Sequence, residues 1–326
     1  MTVGDIVTKT RGEQPQSRFG IGEWYGKPFT TLSSDERRYF AQMQLTPRPE
    51  RPRQRCPFLW HSGRTSDCRK SGGVCSLTKY DLSPETGEVS VASEGGLIRT
   101  TCPSRFEEDG RIYRWIGEVI LDTRSALPLG QVNFLRRVPA IGEEGQRTGR
   151  EEVGRIDNVL MVRDTTPLQW CAVEIQAVYF SGDSMTRDFQ AILSHKGHDL
   201  PFPTGKRRPD YRSSGPKRLM PQLQIKVPTL RRWGKKMAVV VDEDFFKAMG
   251  RMKTVDEISN CEIVWFVAKY DEKLRLGREG VYLTTLEDSV DSLVAGLAVS
   301  LAQFEQRILA KLSRLPSGQP NVPGDQ

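Results

Sequence analysis

Glu174 and Gln176 stand two residues apart in the run WCAVEIQAVYF (170–180), so in an extended strand both side chains leave the same face. Asp157 lies near the start of the preceding strand-like run, RIDNVLMVR (155–163), and a short turn around Thr165, Thr166 and Pro167 joins the two. Two carboxylates and an amide then converge at one edge of a sheet. Oxygen donors of this kind suit Mg²⁺, a hard cation held by one or two carboxylates, with water and phosphate completing its shell. A cation there polarises a phosphodiester and activates water near neutral pH. The same alternation of polar and apolar residues describes any half-exposed strand. What favours chemistry is the company: Cys171, Val173, Ile175 and Val178 mark the strand for burial, where carboxylates are costly unless they bind something.

A second constellation is built from sulfur. Cys56, Cys68, Cys75 and Cys102 are separated by eleven, six and twenty-six residues, intervals that match no common zinc ribbon or finger. They fall in a polar, Gly-rich segment too poor in apolar residues to fold without a staple. Cys56 and Cys102 each precede a proline. In a chain whose opening MTVGDIVTKTRGEQPQ lacks the apolar core of a secretory signal, clustered cysteines read as metal ligands rather than disulfides. Four thiolates suit Zn²⁺ and iron alike, and spacing does not separate them. The competing reading is four scattered free thiols. Cys171 and Cys261 sit in apolar runs and read as small buried hydrophobes.

Charge supplies the third signal. The chain of 326 residues carries +7, and the stretch from Thr204 to Lys236 holds eleven Lys or Arg against Asp210 alone. A concentrated excess of that size is the footprint of a polyanion binder whose affinity falls with salt. A solvated basic loop, or one that meets an acidic protein, accounts for it as well. Arginines there, or Arg53, Arg55, Arg64 and Arg69 beside the cysteines, have the fork that reads guanine edges. The three histidines, His61, His195 and His198, supply too few converging groups for a metal centre. No apolar run is long enough for a membrane span, and the expected compartment is the cytoplasm.

The elements that must position these residues follow from periodicity. Residues 1–32 read as an irregular arm, and Ser33 caps a helix to about Gln44, giving an N-terminal unit over 1–50. The cysteine module spans 51–110. From 111 to 315 a core is expected: a helix carrying Ile112, Trp115, Ile116, Val119 and Ile120 on one face, the two strands above, and a helix over 184–195. The basic loop 204–236 follows, then the apolar runs MAVVV, EIVWFVAKY and GVYLTT, with a short helix between the first two capped by Asp242. A long amphipathic helix is expected from Leu286 to Leu312, packed on its own core or forming a dimer seam, before a tail at 316–326. Strands interleaved with helices place the chain in the α/β or α+β class with a mixed sheet.

The segments CPFLWHSGRTSDCRKSGGVCSLTKYDL, TTCPSRF, GRIDNVLMV and WCAVEIQAVYFSGDSM, with RRWGKKMAVVVDEDFF as weaker support, resemble in content and order the NotI-type restriction endonucleases over most of residues 50–270. That resemblance implies a PD-(D/E)XK nuclease core acting as a homodimer on a palindrome in double-stranded DNA, GC-rich among the best-known members. It implies a four-cysteine iron site near the recognition surface, Mg²⁺ ligation by Asp157 and Glu174, and a cognate DNA methyltransferase. Gln176 then stands where most PD-(D/E)XK enzymes have lysine, and an amide supplies no positive charge. A further upstream acid is expected among Glu118, Glu144 and Glu151. Two rival functions remain: a non-cleaving sequence-specific DNA binder, and a repair nuclease that reads damage or structure.

Overall fold

The computed structural model describes residues 16–61, 64–93, 98–136, 152–294, 296 and 299–314. Its centre is a six-stranded mixed sheet in the order Leu276–Thr284, Ile263–Tyr270, Met237–Asp242, Trp170–Ile175, Asn158–Met161, Leu127–Pro128. The Met237–Asp242 strand runs parallel to both its neighbours, and the remaining pairings are antiparallel. MAVVVD and IVWFVA are continuous apolar runs because both faces of these strands are covered. One face packs against the helix Arg111–Ile120, which inserts Ile112, Trp115 and Ile116. The other packs against the helix Met220–Arg232 through Leu223, Val227 and Leu230, and against Leu293 of the helix Leu286–Val294. Fully burying one such aliphatic side chain stabilises by roughly 1.5–3 kcal/mol, and the sheet is held mainly by their sum.

A second sheet contains Lys27–Pro28, Gln16–Trp24, Val74–Leu82 and Val89–Val91, with Arg99–Thr100 also paired to Val74–Leu82. The expected irregular arm is therefore a strand where it is described. Gly20 and Gly22 interrupt its apolar alternation, and register shifts around Glu23 bring both Ile21 and Trp24 into the core. The sheet also crosses the boundary expected at residue 50, joining the N-terminal unit to the cysteine segment. The helix Ser34–Leu45 carries the capping box that Ser33 and Glu36 predict. It shares this core with the helix Thr186–Ser194, whose Phe189 stacks on Trp24 at 5.3 Å.

Arg99–Thr100 stitches the two sheets together. Thr100 N–H donates to Asp242 Oδ2 (3.0 Å), and its carbonyl accepts from Val178 N–H (2.8 Å).

Two further expectations change. The basic stretch 204–236 is not a loop: Tyr211–Ser214, Gly215–Leu219 and Met220–Arg232 are successive helical segments. Its charged residues and prolines hid a buried stripe of Leu219, Leu223, Val227 and Leu230. The long C-terminal helix is two pieces, Leu286–Val294 and Leu301–Leu312, the second begun by its own Ser300–Gln303 capping box. Packing on its own core holds only for the first piece. In the second, Leu301, Phe304, Ile308, Leu309 and Leu312 are all at least half exposed.

Candidate active site and cysteine cluster

The strand Trp170–Ile175 owes its place to neighbours on both sides. Antiparallel pairing sets Asn158 opposite Val173, so one step further Asp157 comes opposite Glu174. Parallel pairing sets Glu174 beside Val239. Glu174 is 6% exposed, whereas Asp157 lies at the exposed junction between the strand Glu152–Ile156 and the strand Asn158–Met161. The two carboxyls share a hydrogen bond, and the pKa of Glu174 is raised, by burial first and then by the Asp157 charge. Just past the strand end, Gln176 donates its backbone N–H to the Val240 carbonyl (3.0 Å) and its Nε2 to the Ala177 carbonyl (2.6 Å). Gln176 lines a cleft of about 550 Å³ whose wall includes Lys70, Arg207 and Arg218. The structure thus brings Asp157 and Glu174 together, while the Gln176 side chain turns to the Ala177 carbonyl and the cleft.

Two residues of this neighbourhood were not anticipated. Lys226, on the helix Met220–Arg232, donates Nζ to Glu174 Oε2 at 2.6 Å and is 3% exposed. It was hidden with its helix: it falls among Leu223, Val227 and Leu230 on the buried stripe, while the adjacent apolar Ile225 is 54% exposed. On the opposite face of the sheet, Asn158 Nδ2 donates to the Tyr113 hydroxyl (2.6 Å), which is in turn bonded to the buried Glu107. Glu107 lies in the polar turn Pro103–Gly110, where no periodicity marks burial. The upstream acids fare differently. Glu118 is held by Arg278 (2.7 Å) and Arg124 (2.8 Å), away from this network, and Glu144 and Glu151 lie outside the described residues.

The four module cysteines come together from separate elements: Cys56 on the strand Arg55–His61, Cys68 after the strand Arg64–Asp67, Cys75 on Val74–Leu82 and Cys102 after Arg99–Thr100. Cys68 and Cys102 each feel the charge of Cys56, Cys75 feels that of Cys68 and Cys102, and Cys102 N–H donates to the Cys75 carbonyl (3.1 Å). Burial raises the thiol pKa of Cys68, Cys75 and Cys102. Backbone N–H groups of Lys70, Gly26 and Ser104, donated to their respective sulfurs, pull the other way. Such bonds favour thiolates, so this donor set fits a thiophilic cation. All four remain free cysteines. Among the described residues, no three His, Cys, Asp or Glu side chains are already drawn into a metal-holding group, so the thiols are neighbours rather than a closed shell.

His195 Nε2 meets Asp199 (3.0 Å) and His198 Nδ1 meets the Ser34 hydroxyl (3.4 Å), both on the surface. Gly26 has φ +78°, and a Cβ there would strike Pro57, so the N–H that reaches Cys75 depends on glycine.

The described residues thus hold a hydrogen-bonded carboxylate pair at one end of two adjacent interior strands, a cleft with lysine and arginine in its wall and successive basic helical segments. The family model described as restriction endonuclease NotI matches residues 41–283, and the chain belongs to that family. It is therefore a type II site-specific deoxyribonuclease acting on double-stranded DNA. No curated protein matches the chain. Among the described residues, no helix is long and apolar enough to cross a membrane.

Proposed function

We propose that Asp157, Glu174 and Gln176 form a Mg²⁺-dependent site in a PD-(D/E)XK core that cuts both strands of duplex DNA at a GC-rich palindrome. The observation that carries this reading is the hydrogen-bonded Asp157–Glu174 pair at one end of two adjacent interior strands. Two carboxylates held that close oppose each other's ionisation, and a divalent cation relieves the opposition. When bound, the cation would polarise the scissile phosphate and lower the pKa of water. The chain's own residues do the rest: Asp157 and Glu174 hold the ion, and Gln176 orients a water or a phosphate oxygen. The bond from Gln176 Nε2 to the Ala177 carbonyl limits how far that amide swings.

The cysteine cluster is proposed to hold iron or zinc through Cys56, Cys68, Cys75 and Cys102, stapling a segment with little core of its own. The enzyme is further proposed to act in the cytoplasm as a homodimer, two sites serving two strands, beside a methyltransferase that protects host DNA. The exposed apolar face of the helix Leu301–Leu312 supports self-association.

Digestion of GC-rich plasmid and phage DNA with Mg²⁺, using Asp157→Ala as control, tests the reading. Discrete bands that vanish in the variant support it, and sequencing their ends gives the site. Smeared products indicate a nuclease that reads structure or damage. Intact DNA with specific retardation on a gel indicates a binder that does not cut.

A further inference from the structure

Gln176 cannot bring positive charge to the site, yet the site contains one. We infer that Lys226, from a helix outside the strand that carries Glu174, is a catalytic residue that contacts the scissile phosphate. This rests on the nuclease reading above and goes beyond it, because neither the family match nor the motif spacing assigns Lys226 a role.

Three observations carry it. First, position: Nζ of Lys226 is 2.6 Å from Glu174 Oε2, and Glu174 is hydrogen-bonded to Asp157, so the ammonium belongs to the carboxylate pair itself. Second, cost: an ammonium at 3% exposure loses several kcal/mol of hydration, which one ion pair does not reliably recover. Nothing in the packing requires it there, since methionine or leucine would complete the stripe of Leu223, Val227 and Leu230. Third, valence: an ammonium has three N–H donors, and Glu174 is the hydrogen-bond acceptor for Lys226 among the described residues. The other two donors meet no acceptor among the described residues. A phosphate beside Glu174 supplies acceptors. Charge agrees: two carboxylates and one ammonium sum to −1, leaving one positive charge in excess once a divalent cation binds, which favours a phosphodiester anion.

The test uses the full-length protein, a duplex carrying its mapped site and the variants Lys226→Met, Gln176→Lys and their combination. Under single turnover with Mg²⁺, Lys226→Met is expected to cut at least ~100-fold more slowly, the scale of a lost transition-state contact. The combined variant, which returns a cation from the neighbouring strand, is expected to regain about tenfold or more of that loss. A second readout needs no metal: the slope of log affinity against log salt for DNA binding should fall by about one, as for one lost phosphate contact. A purely structural lysine would leave that slope unchanged. If Lys226→Met melts well below wild type, Lys226→Gln replaces it, keeping an N–H for Glu174 without the charge, with the same expectation. Cleavage within about threefold of wild type overturns the assignment, and so does a loss that Gln176→Lys does not recover together with an unchanged salt slope. A wild-type protein that cuts no DNA overturns the nuclease reading itself, and is told apart because the failure then precedes any substitution.

Discussion

Replacing Arg105 with methionine should cost about 4 kcal/mol of folding stability, the scale for breaking a buried ion pair from one side. Arg105 is 1% exposed, and its Nε donates to both oxygens of Glu23 at 2.8 and 2.9 Å. Its other nitrogens reach Glu108 (3.1 Å) and the Leu274 carbonyl. The guanidinium also lies over the rings of Phe58 (4.5 Å) and Tyr270 (4.8 Å). One side chain thus ties together the N-terminal sheet, the cysteine segment and the hairpin turn beside the central sheet. Methionine keeps much of the apolar stem's packing but leaves Glu23, itself 2% exposed, with a hydrogen bond from Ser76 (2.8 Å) and no counter-charge among the described residues. The dominant loss is that stranded carboxylate. Adding Glu23→Gln removes the charge and keeps an acceptor for Ser76, so the double variant should regain at least about 2 kcal/mol. Urea unfolding of wild type, both single variants and the double variant gives the coupling energy directly. A cost below about 1 kcal/mol for Arg105→Met, or no recovery in the double variant, refutes the reasoning.

Three other outcomes are expected. Cys75→Ser should lower the iron or zinc content of the purified protein, measured by elemental analysis, and a full complement would remove Cys75 from the ligand set. Phe304→Glu with Ile308→Glu should halve the particle mass in light scattering, since both residues stand on the exposed apolar face; an unchanged mass places the contact elsewhere. Asp242 should make stability rise as pH falls. Burial raises its pKa to about 6 despite the N–H groups of Phe245 and Thr100, so the folded state holds this proton more tightly than the unfolded one, in which the carboxyl titrates near 3.8. Its contribution is complete below the unfolded value and is lost as pH rises through about 6. Relative to Asp242→Asn, wild type should gain about 1 kcal/mol between pH 7 and pH 5, read by urea melts at both values. A flat difference would show that the carboxyl has the same affinity for protons in both states.

How much of this was legible depends on which forces write a pattern into sequence. The MAVVVD and IVWFVA strands announced themselves because two-sided burial demands unbroken apolar runs. The meeting of Asp157 with Glu174 was legible from the short turn that pairs their strands. The helices within 204–236 were hidden because composition was dominated by solvent-facing charge, while Lys226 faces inward from the same stretch. The strand Gln16–Trp24 was obscured by its glycines and by a register shift that no period-two template contains. Glu107 left no mark, since its burial follows from a tertiary contact with Tyr113 rather than from any repeat.

The turn Pro103–Gly110 has a consequence for how such an enzyme diversifies. Cys102 immediately precedes it, Arg105 inside it clamps Glu23, and Glu107, five positions after Cys102, holds the Tyr113 that steadies Asn158 beside Asp157. The sulfur cluster and the carboxylate pair are therefore linked by a tether with almost no slack. Insertions or deletions there would pull one centre out of register with the other. Closely spaced relatives should accordingly differ in the side chains they present to DNA while conserving the length of this turn.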